Sequence, residues 1–163
     1  MVSVDNIHII KNIFNYNKMT IRLIRHGQSY ANIGEAQCDA CLTSTGREQA
    51  KRLTGKYDLI IVSPMRRTKE TFFYSDVRGG KVITSELCRE MKQGISDLLL
   101  FEDEIFDDEH TFDNRMGKLI IHLHDLSKQY KNIAVFTHGH VIKHITNMNY
   151  YLDNTQSVTI NFD

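Results

Sequence analysis

Arg25-His26-Gly27-Gln28 stands directly after the apolar strand pattern Ile21-Arg22-Leu23-Ile24, and Asn32 follows shortly after Gly27. A guanidinium matches phosphate oxygens as a planar fork, and a neutral imidazole offers a basic, nucleophilic lone pair near neutral pH. A strand that stops at a glycine releases both side chains at the rim where open α/β sheets collect ligands. The stretch is therefore a candidate phosphate-handling site with His26 at its centre. Similar chemistry recurs along the chain. Ser63-Pro64-Met65-Arg66-Arg67-Thr68 puts two arginines in the first turn of a helix, whose free N–H groups already favour an anion. Glu86-Leu87-Cys88-Arg89-Glu90 offers Glu90 as an acid, and Phe136-Thr137-His138-Gly139-His140 repeats the strand-His-Gly arrangement. Two histidines at two parallel strand ends can face one point.

These side chains meet only if the strands that carry them run parallel in one sheet. Strand signals fall at Thr20 to Ile24, Leu59 to Val62, Lys81 to Thr84, Ile133 to Thr137 and Val158 to Phe162, alternating with helical patterns. That alternation predicts a three-layer α/β/α fold with a mostly parallel sheet and one antiparallel edge strand, the last. Thr43 is placed to cap a helix through Gly46, Gln49, Ala50 and Leu53. Ser63 and Pro64 read as the cap and first position of a second helix reaching Tyr74. Phe112, Met116, Leu119, Ile120, Leu123, Leu126 and Tyr130 recur at helical intervals and form a core stripe. No repeat or low-complexity linker interrupts the chain, so residues 20–163 read as a single domain. Residues 1–19 read as an N-terminal extension packed on or beside it, with Ile7-His8-Ile9-Ile10, Ile13 and Phe14 in an edge strand or short helix.

The bulk numbers exclude several classes. With 163 residues, 41% of them hydrophobic, the chain can build its own core. Its formal net charge of +0 supplies no global field toward nucleic acid or an anionic membrane, so any anion site is built locally. No apolar run approaches the roughly 20 residues of a membrane span. Three cysteines without a secretory signal point to a reducing, cytoplasmic compartment. Cys38 and Cys41 form a CxxC without the second pair that structural zinc needs.

Taken in order, these motifs resemble the histidine phosphatase superfamily, the phosphoglycerate mutase-like family, in a compact branch 1-type form. The likeness runs from about Thr20 to the C-terminus: Arg25-His26-Gly27, Asn32, Leu42-Thr43 with Gly46 and Gln49-Ala50, Ser63 to Thr68, Leu87 to Glu90, and Thr137-His138-Gly139. The resemblance aligns the phosphate-binding arginine with Arg67 rather than Arg66. It implies a metal-independent phosphatase without cofactor, acting on a small phosphorylated metabolite or an exposed phosphate group. On this reading His26 attacks phosphorus, and Arg25, Arg67, His138 and Asn32 hold the non-bridging oxygens. Gln28 adds a donor at the rim. Glu90, in its acid form, protonates the leaving oxygen and then activates water, with Asp97 or Glu86 as fallbacks.

Two departures qualify the resemblance. Cys41 stands where relatives often carry proline, and Met91-Lys92-Gln93-Gly94 replaces the glutamate-arginine-histidine-tyrosine stretch of the cofactor-dependent mutases. The alternatives are a mutase-type phosphotransferase, a phosphohistidine protein phosphatase and a non-catalytic phospholigand module. His138, His140 and His144, or His122 and His124, also invite a metal reading. Glu102-Asp103-Glu104 and Asp107-Asp108-Glu109 read as a solvated acidic loop anchored by Ile105 and Phe106.

Overall fold

The computed structural model describes residues 19–35, 37–99 and 103–162. Apart from Met19, the expected N-terminal extension lies outside them. Five strands, β1 (Thr20–Arg25), β2 (Thr54–Val62), β3 (Asp76–Thr84), β4 (Asn132–Thr137) and β5 (Ser157–Ile160), form one sheet in the order β3-β2-β4-β1-β5. The neighbours are parallel except for β1 with β5, which confirms a mostly parallel sheet with one antiparallel edge. Among the described residues four α-helices accompany it: α1 (Ser44–Ala50), α2 (Arg66–Tyr74), α3 (Glu109–Ser127) and α4 (Gly139–Thr146).

Strand alternation builds the three layers. Ile21, Leu23, Leu59, Ile61, Ile133 and Val135 turn to one face and pack with Phe112, Met116, Leu119 and Leu123 of α3 and Val141 and Ile142 of α4. Ile24, Ile60, Val62, Ala134 and Phe136 turn to the other face with Leu53, Val77 and Phe72. Both faces of the central strands are dry, so the backbone has nowhere to slip and the strand ends are fixed in register. Arg25 pairs with Thr137 and Val62 with Phe136, which brings the C-terminal ends of β1, β4 and β2 level.

Several elements differ from the sequence expectation for local reasons. β2 begins at Thr54, because Thr54 to Asp58 alternate in exposure beside β3 rather than forming an apolar run. β3 begins at Asp76 and carries Gly79-Gly80 within it. A Cβ on Gly79 would stand 2.7 Å from the Ile60 side chain, so the glycine lets the strands' side chains nest. α2 begins at Arg66 with Met65 as its cap residue, and Ser63 and Pro64 lie before it. α3 runs from Glu109 behind an Asp108 cap that accepts from Thr111 N–H at 2.7 Å.

The acidic stretch is solvated at Asp103, Asp108 and Glu109, as its sequence reading has it, but Glu104 and Asp107 and the two apolar residues depart from it. Ile105 and Phe106 are 82% and 58% exposed, while the side chains of Glu104 and Asp107 are 9% and 3% exposed. Glu104 forks onto Arg89 at 2.5 and 2.9 Å, and Asp107 meets Arg115 at 2.9 Å. The buried guanidiniums need counter-charges more than this loop needs apolar anchors.

Candidate active site

The level strand ends open a cleft of ≈ 210 Å³ lined by Arg25, His26, Ser29, Ala31, Asn32, Arg67, Glu90, Asp97, Gly139, His140 and Tyr151. His26 leaves the end of β1 and is 3% exposed. Its backbone N–H donates to Thr137 C=O at 3.1 Å, and its Nδ1 lies 2.7 Å from Gly27 C=O. A carbonyl can only accept, so Nδ1 carries the proton and Nε2 keeps its lone pair. Burial, then the charge of Arg67 and that of Arg25, hold the ring well below its ordinary value against the Gly27 hydrogen bond. His26 is therefore a neutral imidazole between two fixed cations.

The loop that carries His26 is clamped by close backbone approach. A Cβ on Gly27 would lie 2.5 Å from Gly46 C=O, and one on Gly46 would lie 2.0 Å from Gln28 C=O. Only glycine fits either place. Thr71, one turn beyond Arg67 on α2, accepts from Gly27 N–H at 2.9 Å. The Gln28 side chain accepts from Thr43 Oγ at 2.8 Å and so braces the cap of α1, outside the residues that line the cleft.

Arg67 is 3% exposed and uses two of its five N–H groups on the turn Ile95–Asp97. Nη1 donates to Ser96 C=O at 2.6 Å and Nη2 to the Asp97 carboxylate at 2.8 Å. The remaining donors are free to bind an anion in the cleft. Arg25 donates from Nη1 to Leu152 C=O, while its buried Nε has no partner among the described residues. Arg66 points away, to Glu70 at 2.9 Å. Asn32 lines the cleft with its Oδ1 accepting from Ser29 N–H at 2.9 Å and Asn154 Nδ2 at 3.2 Å.

His138 is fully buried behind His26, with the two rings edge-on and their centroids 5.2 Å apart. Burial, then Arg67, holds it too well below its ordinary value. Its Nε2 is hydrogen bonded to Ser63 Oγ at 2.8 Å, and its buried Nδ1 has no partner among the described residues. The serine assigned as a helix cap thus belongs to the site.

The segment that carries Glu90 is pinned at Cys88 and at Glu90 itself. Thr137 Oγ donates to Cys88 C=O at 2.8 Å, Arg115 donates to Glu90 C=O at 3.0 Å, and His140 N–H reaches both carboxylate oxygens at 3.2 and 3.3 Å. Burial alone would raise its carboxyl, but the hydrogen bond and charge of His140, the charge of Arg67 and Met91 N–H together bring it below the usual value. Against the expectation of a populated acid form, these partners favour the carboxylate of Glu90 in the free site. Of the fallbacks, Asp97 lines the cleft and Glu86 sits 3.4 Å from Arg89.

The model of the histidine phosphatase superfamily (branch 1) matches residues 21–160. The chain belongs to this superfamily. Among solved structures, this histidine phosphatase superfamily member is similar to a proposed alpha-ribazole-5'-P phosphatase of Escherichia coli K-12, at 21% identity and a TM-score of 0.71 over 89% of this chain and 91% of that one. It is similar to a phosphoglycerate mutase of Bacillus anthracis, at 16% and 0.68 over 90% and 88%. It is also similar to a phosphoserine phosphatase of Entamoeba histolytica, at 23% and 0.65 over 86% and 89%. No curated protein matches in sequence. At these identities the structural likeness shows the fold.

Two further histidines of this superfamily member each face a carboxylate. His144 faces Asp113 at 3.5 Å, and His140 faces Glu90. Among the described residues no three His, Cys, Asp or Glu side chains gather as metal ligands, and no helix is long and apolar enough to cross a membrane. Sequence reading missed Ser63, Thr71, His140 and Tyr151 as parts of this site. Ser63 carried a signal, its place at the end of β2, which the Ser-Pro cap pattern obscured; Tyr151 comes from a loop without one.

Proposed function

We propose that this protein is a metal-independent phosphatase that hydrolyses a phosphomonoester through a phosphohistidine on His26. The observation that carries the reading is the neutral His26 ring, its Nδ1 spent on Gly27, lining one cleft with Arg25, Arg67 and Glu90. Phosphoryl transfer asks the protein mainly for positioning and for charge on the equatorial oxygens. In the first half-reaction Nε2 bonds to phosphorus, the ester P–O bond breaks, and Glu90, ionised in the free site, relays to the leaving oxygen a proton held beside it in the cleft. In the second, water bonds to phosphorus, the N–P bond breaks, and Glu90 takes the proton.

Arg25, Arg67, His138 and Asn32 hold the non-bridging oxygens. Ser63 Oγ accepts from Met65 N–H at 3.4 Å and can donate its own proton to His138 Nε2, the tautomer in which His138 Nδ1–H is left for phosphate. Gln28 acts through the α1 cap rather than at the rim. Hydrolysis is favoured over mutase transfer by Met91-Lys92-Gln93-Gly94, which lacks the mutase-type stretch. The substrate class is a small phosphorylated metabolite or an exposed phosphate group, as the names of the similar phosphatases also fit. Phosphate release from 4-nitrophenyl phosphate, measured in chelator for the wild type and His26→Ala, tests this. Turnover in the wild type and none in the variant is expected; activity lost to chelator alone overturns the reading.

A further inference from the structure

His140 lines the cleft without a part in the phosphatase scheme, yet both its backbone and its ring meet the Glu90 carboxylate. Its backbone N–H forks onto both carboxylate oxygens at 3.2 and 3.3 Å, and its ring Nδ1 lies 3.4 Å from Oε1. The ring is fixed from outside: Tyr151 packs edge-on against it with centroids 4.9 Å apart, and Lys143 Nζ sits over Tyr151 at 4.5 Å. One residue thus grips the carboxylate by its main chain and offers it a second titratable group. We propose that His140 stores the proton that Glu90 delivers to the leaving oxygen, so that the acid of the site is the Glu90–His140 pair rather than a lone carboxyl group. The proposal rests on the phosphatase reading and deepens it.

The charges around the ring agree. Glu90 and Asp97 face it from the segments after β3, Lys143 lies one turn along α4, and Tyr151 comes from the segment before β5. The Glu90 hydrogen bond raises His140 above its ordinary value, burial opposes this, and the charges of Glu90 and Asp97 outweigh that of Lys143. Glu90 is correspondingly low. Two groups this close titrate as a unit holding one proton.

The step balances within the site. As Nε2 of His26 bonds to phosphorus and the ester bond breaks, the imidazolium Nδ1–H bond of His140 breaks and the proton passes through Glu90 to the leaving alkoxide. His140 is left neutral and Glu90 ionised. Water then gives its proton to Glu90, which returns it to His140 while its oxygen bonds to phosphorus and the N–P bond breaks. Acting through Glu90, His140 is a positioning and proton-holding residue.

The test is the pH dependence of kcat/KM for the wild type and His140→Gln on two esters, 4-nitrophenyl phosphate and 2-phenylethyl phosphate. The aryl ester needs little proton assistance and also reports the ionisation of the phosphate itself. We expect His140→Gln to lose about 10- to 100-fold on the alkyl ester and less than about threefold on the aryl ester. On the alkyl ester its basic limb moves to lower pH, since Glu90 alone must then hold the proton. Loss on both esters with an unmoved limb overturns the proposal alone. No wild-type turnover of either ester overturns the phosphatase reading and the proposal with it. Independently of turnover, an NMR titration of the His140 ring is expected above about 6.5 in the wild type and lower in Glu90→Gln. An ordinary value in the wild type overturns the proposal.

Discussion

His26 is kept neutral by burial beside two guanidiniums, and one of its ring nitrogens is occupied by its own neighbour's carbonyl. The same burial makes Glu90 depend on a partner, because an isolated buried carboxylate would take up a proton. Glu90→Gln keeps the shape and removes the proton shuttle. It should slow alkyl phosphates by about a hundredfold, roughly 3 kcal/mol of barrier, and aryl phosphates far less, as read from steady-state kcat/KM. Equal loss on both would take Glu90 out of the proton-transfer role. At this scale the sequence was legible where chemistry and strand end coincide. Arg25, His26 and His138 each follow an apolar strand by a residue or less, and the choice of Arg67 over Arg66 agrees with where the two side chains point. His140 and Tyr151 were not legible as a pair, since nothing local says that a loop before β5 will pack on the first turn of α4.

Elements position the site chiefly through contacts between backbones. The Gly27–Gly46 approach sets α1 directly against the loop that carries the nucleophile, and Thr71 ties that loop to α2. Gly46→Ala would force a Cβ to within 2.0 Å of Gln28 C=O, so α1 or the loop must move. A destabilisation of about 1–3 kcal/mol is expected in chemical denaturation, together with loss of aryl phosphate turnover. Unchanged stability would mean that the contact is not rigid. Alternation and capping identified the five strands and α1 to α3, while α4 and the lengths of β2 and β3 were hidden. Polar alternation next to an edge and a Gly-Gly pair both weaken the strand signal, and only the partner strand restores it. The Glu104 and Asp107 pairs were hidden for a related reason, since their guanidinium partners are 15 and 8 residues away.

For the whole molecule, burying two neutral imidazoles links stability to pH. His26 and His138 are both depressed when folded, so below about 6.5 the unfolded chain binds protons that the folded one refuses. Stability should therefore fall as pH drops from 7 toward 5, by up to about 1.4 kcal/mol per pH unit for each ring. His140, raised when folded, acts in the opposite sense: its contribution is complete below 6.5 and is lost as pH rises through its folded value. The windows do not overlap. Tm measured across this range should decline toward acid, and His138→Gln should lessen the slope; a flat profile would mean that the rings titrate normally. The proposed chemistry turns on one atom, Nε2 of His26. Rapid acid-free quenching of the protein with excess 4-nitrophenyl phosphate, followed by mass spectrometry and phosphohistidine isomer analysis, should find phosphate on Nε2 of His26. Turnover without a phosphorylated His26, in a quench fast enough to precede hydrolysis, or phosphate on Nδ1, would contradict it.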